Sequence, residues 1–270
     1  MLRVDNASLA LGGIKALSDL SFSAEPGEIT SIIGPNGAGK TSLFNIISGF
    51  YRPQKGQIFF NDQDITHTRP DKRAAMGIAR TFQNIALFRG MSVLDNIKLG
   101  GHTRLKSGLW SSGWFYGSAK KEEISIRAEI EEEVIDFLEL DHIRKAPVST
   151  LPYGLQKRVE LARTLAMKPK ILLLDEPVAG MNHEETEDIA RFILDIQERW
   201  HTTILLVEHD MGIVMDISNK VIVLNFGQQI ACGKPAEVQS NPQVIDAYLG
   251  GQVHAGDVTP QTNRGGASIG

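Results

Sequence analysis

The eight residues Gly34-Pro35-Asn36-Gly37-Ala38-Gly39-Lys40-Thr41 spell G-x-x-x-x-G-K-[ST], and no other stretch constrains the fold of this chain as tightly. The apolar run Ile29-Thr30-Ser31-Ile32-Ile33 before them reads as a buried parallel strand. Thr41 to Ser48 after them reads as a helix with Leu43, Phe44, Ile46 and Ile47 on its apolar side. A strand, loop and helix in this order converge backbone N–H groups and the positive end of a helix dipole on one point, which suits a polyphosphate. Gly34, Pro35, Asn36, Gly37, Ala38 and Gly39 are therefore expected to cradle a nucleoside triphosphate. Lys40 would reach its β- and γ-phosphates, and the Thr41 hydroxyl would hold Mg²⁺.

At 270 residues the chain is long enough for one large α/β domain or a domain with a sizeable insertion. Its longest apolar runs, Ile171-Leu172-Leu173-Leu174 and Ile204-Leu205-Leu206-Val207, are far too short to span a bilayer. The N-terminus lacks the basic-then-apolar pattern of a secretory signal. A single cysteine, Cys232, excludes an internal disulfide and fits a reducing compartment, where it reads as a small packing residue. A formal net charge of −4 argues against a nucleic-acid partner, because a basic face would be expected there. If the chain works at a membrane, it does so by docking onto something else.

Residues 2–82 look β-rich, with expected strands over Leu2–Ala10, Leu20–Ala24, Glu28–Ile33 and Gln57–Phe60 between turn signals at Gly12-Gly13, Pro26-Gly27 and Asn61-Asp62. Beyond Phe82 the character changes. A short helix is expected over Ser92–Leu99, then a Gly/Ser loop over Lys106–Ser118 carrying Trp110, Trp114, Phe115 and Tyr116. Those aromatics read either as packing within the insertion or as a partner surface. Over Lys120–Leu140, Ile130, Val134, Phe137 and Leu138 form an amphipathic stripe, and Glu131-Glu132-Glu133 reads as its solvated face. From Lys170 strands and helices alternate again: a strand to Asp175, a helix near Glu184–Arg199, a strand over Thr203–Val207, a helix near Met211–Ile217, and a strand over Val221–Leu224. That alternation predicts a parallel sheet interrupted by a helical insertion at about 84–155. The small polar residues of 251–270 predict a disordered tail.

Ile171-Leu172-Leu173-Leu174-Asp175-Glu176 is an apolar strand ending in two carboxylates. Asp175 at its carboxyl end would hold Mg²⁺ through water. Glu176, pointing the other way by strand alternation, would polarise the water that attacks the γ-phosphate. Gln83 and His209 each lie at the end of an expected strand. The amide of Gln83 can touch the metal and the attacking water, and the imidazole of His209 can bridge to the γ-phosphate.

Leu151-Pro152-Tyr153-Gly154-Leu155-Gln156-Lys157-Arg158 opens a helix running through Ala166. With it the set resembles the ATP-binding-cassette ATPases: P-loop, Gln83, the Gly154 segment, the two-carboxylate strand, Met181-Asn182 and His209 follow that family's order over about residues 2–250. The resemblance implies an α/β fold, a P-loop NTPase of the ABC cassette type with an N-terminal antiparallel β part and a helical insertion. It implies two cassettes facing head to tail, with ATP and Mg²⁺ between one subunit's P-loop and the other's signature helix. Tyr153, Gly154, Gln156 and Asn182 thereby join the nucleotide-binding set. Several stretches look like the cassettes of branched-chain amino-acid importers: Arg80-Thr81-Phe82-Gln83, Tyr153-Gly154, Asp175 through Asn182, Glu208-His209-Asp210-Met211, and Asn241 through Gly250. That branch implies a peripheral protein on the cytoplasmic face of the membrane. Its partners would be two transmembrane permease subunits docked near Gln83–Met91, a second cassette and, indirectly, an extracytoplasmic solute-binding protein. The alternatives are a lipopolysaccharide-type export cassette and a soluble cassette ATPase. The single P-loop disfavours the soluble one.

Four positions depart from the family's usual pattern. Leu11 stands where an aromatic usually stacks on adenine, so Leu11→Tyr is expected to tighten ATP binding. Pro152 replaces a serine, removing a hydroxyl and an N–H, though proline suits a first helical turn. Leu155 replaces a glutamine, with Gln156 following it. Asn182 in place of aspartate fits the importer branch.

Overall fold

The computed structural model describes residues 2–83, 85–104 and 125–253. Two long strands, β1 (Leu2–Leu11) and β2 (Ile14–Ala24), open the chain around the turn Gly12-Gly13. With β4 (Lys55–Phe60) and β5 (Gln63–Asp64) they form an antiparallel sheet in the order β2-β1-β4-β5. The antiparallel N-terminal part is as expected. Its second strand begins at Ile14 rather than Leu20, because Ile14–Leu17 pair with Leu9–Leu11 even though both Ile14 and Lys15 face solvent and carry no inward pattern.

A second sheet combines β3 (Ile29–Ile33), β6 (Ile78–Arg80), β7 (Ile171–Asp175), β8 (Thr203–Val207), β9 (Lys220–Asn225) and β10 (Gln228–Gly233). The order is β10-β9-β3-β8-β7-β6, parallel from β9 to β6, with β10 antiparallel at the edge. Every residue of β3, β7 and β8 is buried, as parallel strands covered on both faces must be. The carboxyl ends of β3, β8, β7 and β6 lie side by side, so the loops that follow them open onto one edge of the sheet.

Helix α1 (Lys40–Ser48) lies between the sheets. Leu43, Phe44, Ile46 and Ile47 pack with Leu2 and Val4 of β1 and with Leu173 and Leu205 of the parallel sheet. Leu172, Leu174, Ile204 and Leu206, the alternate residues of β7 and β8, face a second core. It is shared with α3 (Val93–Gly101), α4 (Tyr153–Leu165) and α5 (His183–Trp200). A third cluster joins Ile33 of β3 and Val223 of β9 to Val214 of α6 (Met211–Ile217), Val238 of α7 (Pro235–Gln239) and Val244 of α8 (Pro242–Val253). Tyr248 of α8 packs against it and bonds to the backbone of Gly34.

The end of α1 is held by Arg73 of α2 (Pro70–Met76), whose side chain is 1% exposed. Its Nη1 donates to the carbonyls of Ile46 and Ile47, Nη2 to those of Ile65 and Thr66, and Nε to that of Thr68.

Between β6 and α4 the described residues are helical or irregular, in keeping with an insertion there. The acidic run departs from expectation. Residues Ile130–Ile135 form a π-helical turn, and only Glu132 of the three glutamates is fully exposed. Glu131 meets Lys98, Arg127 and Arg144, and Glu133 meets Lys168. Cations brought in from α3 and from the loop after α4 make this an ion-paired seam rather than a solvated face. The aromatic stretch Trp110–Tyr116 lies outside the described residues, as does the expected tail from residue 254 onward. Helix α8 runs to Val253, so residues 251–253 of the expected tail are helical.

Candidate nucleotide site

Three glycines let the loop after β3 close on itself. Gly34 (φ 150°) runs so near β9 that a Cβ would strike the Leu224 carbonyl, and a Cβ on Gly39 (φ 105°) would sit 2.5 Å from the Ala16 carbonyl oxygen. Gly37 also takes a positive φ, of 81°. Helix α1 then starts at Lys40 with no side-chain cap, so its first-turn N–H groups are left for the cavity at its mouth. Lys40 is buried and curls back, donating from Nζ to the carbonyls of Gly34 (2.6 Å) and Pro35 (3.1 Å). Burial pushes its pKa down, while the negative fields of Glu176 and Asp175 push it back up.

The cavity measures about 320 Å³ and is lined by Asn36 through Ser42, by Ile14, Lys15 and Ala16, and by Gln83, Glu176 and His209. Residues from four separate loops thus meet, as the sheet order requires. At the centre is Glu176: Oε1 accepts from His209 Nε2 at 2.8 Å, and Oε2 accepts from Gln83 Nε2 at 2.9 Å.

The direction of Glu176 is not set by strand alternation. The strand stops at Asp175, and Glu176 adopts φ 50° while its N–H donates to the Val207 carbonyl at 2.9 Å. A left-handed turn therefore aims the carboxylate, at a conformational cost of about 1–2 kcal/mol for a non-glycine residue. Such strain sits where position matters more than stability.

Asp175 is buried and does not line the cavity; its Oδ2 pairs with Arg80 Nη2 at 2.8 Å. The same guanidinium reaches α1 through Asn45 Oδ1 (2.7 Å) and Ser48 Oγ (3.2 Å). Arg80 therefore ties the phosphate-loop helix to the carboxylate strand, a role for which the sequence carries no local signal. Glu208 is a second residue whose linking role has no local signal. Buried beside His209, it accepts the N–H groups of Val178 (3.1 Å) and His209 (3.0 Å) and so joins the loops after β7 and β8. Burial raises its pKa against those hydrogen bonds.

Leu11 does not line the cavity. The chain reverses at Gly12-Gly13, and Ile14, which pairs with Leu11 across the hairpin, takes the place beside the phosphate loop. The signature residues also lie elsewhere in the single chain. Pro152 occupies the N-cap of α4 rather than its first turn, and its carbonyl accepts from Gln156 N–H at 3.1 Å. Gln156 Nε2 donates to the Leu151 carbonyl at 2.8 Å. Tyr153 stays half exposed at the helix start. Gly154 packs so closely on Glu185 that a Cβ would collide with its carboxylate. Asn182 caps α5 in a reciprocal capping box with Glu185. These four residues gather where α4 and α5 begin, apart from the P-loop cavity.

The family model described as ABC transporter matches residues 17–179, and one described as branched-chain amino acid ATP-binding cassette transporter matches residues 228–254. The high-affinity branched-chain amino acid transport ATP-binding protein LivG of Escherichia coli K12 is 40% identical, over 93% of this chain and 98% of its own length. Its counterpart BraF of Pseudomonas aeruginosa is 38% identical over the same shares. A nucleotide-free ATP-binding cassette from an ABC transporter superposes with a TM-score of 0.80 at 33% identity, covering 92% of this chain and 98% of that one. A dimeric bacterial ABC transporter cassette superposes at 0.73 with 25% identity, covering 87% and 99%.

Proposed function

Because this chain belongs to the ABC transporter ATP-binding family and to its branched-chain amino acid branch, we propose that it is the ATP-hydrolysing subunit of an importer for branched-chain amino acids or related small polar solutes. The observation that carries the catalytic part is the Glu176 carboxylate, held by His209 and Gln83 at the mouth of the P-loop. Uncapped first-turn N–H groups and the Lys40 ammonium bind the phosphates of ATP. Glu176 takes the proton of the attacking water, and the two donors already on its oxygens hold it in place. Gln83 must yield part of its bond to Glu176 as ATP arrives, which makes it the contact that reports an occupied site.

The donor set suits Mg²⁺, which keeps several waters and binds through one or two carboxylates and substrate phosphates. Thr41 at the loop and Gln83 at the cavity rim would hold it directly, and Asp175, which lies behind the cavity and is paired with Arg80, through water. Bound there, the ion would offset charge on the phosphate oxygens.

No helix among the described residues is long and apolar enough to cross a membrane. Membrane attachment on the cytoplasmic face is therefore assigned to two permease subunits. The exposed side chains of Phe88 and Met91, in the segment after Gln83, support docking there. A second cassette facing head to tail would bring its Tyr153, Gly154, Gln156 and Asn182 to this chain's P-loop, which accounts for their distance from it here. Two measurements test the reading. Glu176→Gln should retain ATP affinity and lose at least about 100-fold in phosphate release, and tagged protein from solubilised native membranes should bring down polytopic subunits with a cassette. Wild-type turnover in the variant removes Glu176 from its role, and recovery of soluble partners alone overturns the transport assignment.

A further inference from the structure

We infer that Lys157, Glu160 and Arg163 of α4 are positioning residues for Gln83. The inference rests on the catalytic reading above and extends it to groups that touch neither substrate nor Glu176. These residues stand at i, i+3 and i+6, on one face of the helix. Lys157 Nζ donates to the Gln83 carbonyl at 3.0 Å, and Arg163 Nη1 donates to the Ala86 carbonyl at 2.6 Å. Glu160 Oε1 lies 3.4 Å from the Ala86 N–H and 4.0 Å from Arg163 Nη2. All three side chains thus hold the main chain of the segment that carries Gln83.

Their burial shows that this is not a chance surface contact. Lys157 is 5% exposed and Glu160 1%, and Glu160 Oε2 is buried with no hydrogen-bond partner among the described residues. Three ionisable groups set side by side in a helical interface cost stability that an apolar face of the same size would not. What they secure is register. The segment after β6 has few apolar anchors of its own: Phe82 and Phe88 are exposed. Without the clamp, the Gln83 amide has only its single 2.9 Å bond to Glu176 to fix its place.

The same helix begins at Pro152, Tyr153 and Gly154, the residues expected to meet the opposing cassette's nucleotide. A rigid rod from Tyr153 to Leu165 with Gln83 fastened to its side converts a shift at its tip into a shift of the Gln83–Glu176 contact. ATP bound across the dimer would thereby set the geometry of hydrolysis in this chain's own site.

The test is steady-state ATP hydrolysis by the assembled transporter, with nucleotide affinity measured in parallel. Arg163→Met is the first variant, because its side chain is partly exposed at 17% and the change keeps the apolar stem. We expect kcat to fall about 10- to 100-fold with ATP affinity within about twofold, since a misplaced positioning group costs rate rather than binding. Arg163→Lys, which keeps a cationic donor, should recover most of the rate. Lys157→Met should act like Arg163→Met, and the double variant should lose little more than either alone. The inference is overturned if kcat stays within about twofold of wild type, if rate and affinity fall together, or if Arg163→Lys is as slow as Arg163→Met. A wild-type complex that does not hydrolyse ATP would instead sink the catalytic reading itself, so the two failures are separable.

Discussion

Replacing Arg73 by methionine should destabilise the protein as strongly as truncating a buried core side chain, while sparing the nucleotide site. The guanidinium is 1% exposed and serves five backbone carbonyls, two of them, Ile46 and Ile47, at the end of the phosphate-loop helix. No carboxylate lies within salt-bridge distance of it among the described residues, so the carbonyls alone satisfy it. Methionine matches the stem and takes a donor from all five carbonyls, of which that of Ile65 keeps the Thr68 N–H at 2.9 Å. Each buried orphan costs about 1–3 kcal/mol. Removing the charge returns its own desolvation penalty of several kcal/mol. The net expectation is about 3–5 kcal/mol, the orphaned carbonyls outweighing the desolvation that is returned. For a domain of this size that lowers Tm by about 6–20 °C. Arg73→Lys keeps the charge but has three donors for five carbonyls, and should lose about half as much. Burial pulls the Arg73 pKa down to about 10, so the charge is present in folded and unfolded chains alike at neutral pH. Its protonation differs between the two states only from about pH 9 upward, and the loss in Arg73→Met should be the same at pH 6 and pH 8. Urea unfolding followed by far-ultraviolet circular dichroism measures it. A loss below about 1 kcal/mol would refute the reasoning, showing that water replaces the guanidinium at no cost.

Two further outcomes are expected. The hairpin puts Ile14 rather than Leu11 on the cavity, so Ile14→Tyr should tighten ATP binding by about two- to tenfold, the worth of an aromatic contact, and Leu11→Tyr by less; calorimetry giving the reverse order would restore Leu11 to the adenine. Burial raises the Glu160 pKa, so the folded chain holds a proton that the unfolded chain releases first, and this group's contribution to stability declines as pH rises out of the ordinary carboxylate range. Glu160→Gln should gain on wild type in Tm at pH 8 relative to pH 4.5, and a constant difference between those pH values would count against it.

What could be read from the chain was what its neighbours in sequence encode. The P-loop glycines are demanded by contacts with Leu224 and Ala16, but the pattern G-x-x-x-x-G-K-[ST] reports them within eight residues. The parallel strands announced themselves as runs dominated by Ile, Leu and Val, because burial on both faces suits such residues, and even Thr30 and Ser31 within β3 are buried. Arg80 and Asp175 are 95 positions apart, and only the adjacency of β6 and β7 makes them a pair. The ion pairs of Glu131 are hidden for the same reason, its partners Lys98 and Arg144 arriving from other elements. The turn at Glu176 escaped because a left-handed φ at a glutamate has no signature in residue type.

The helices at the end of the chain have a consequence for how damage there would be read. Val244 and Tyr248 pack in the cluster that holds Ile33, the last strand residue before the phosphate loop. They act as a wedge under that loop. A stop codon or a protease cut just before Asn241 would remove no group that lines the nucleotide cavity, yet its first symptom would be a slackened grip on ATP. A fault at residues 241–253 would surface in a motif translated about two hundred residues earlier.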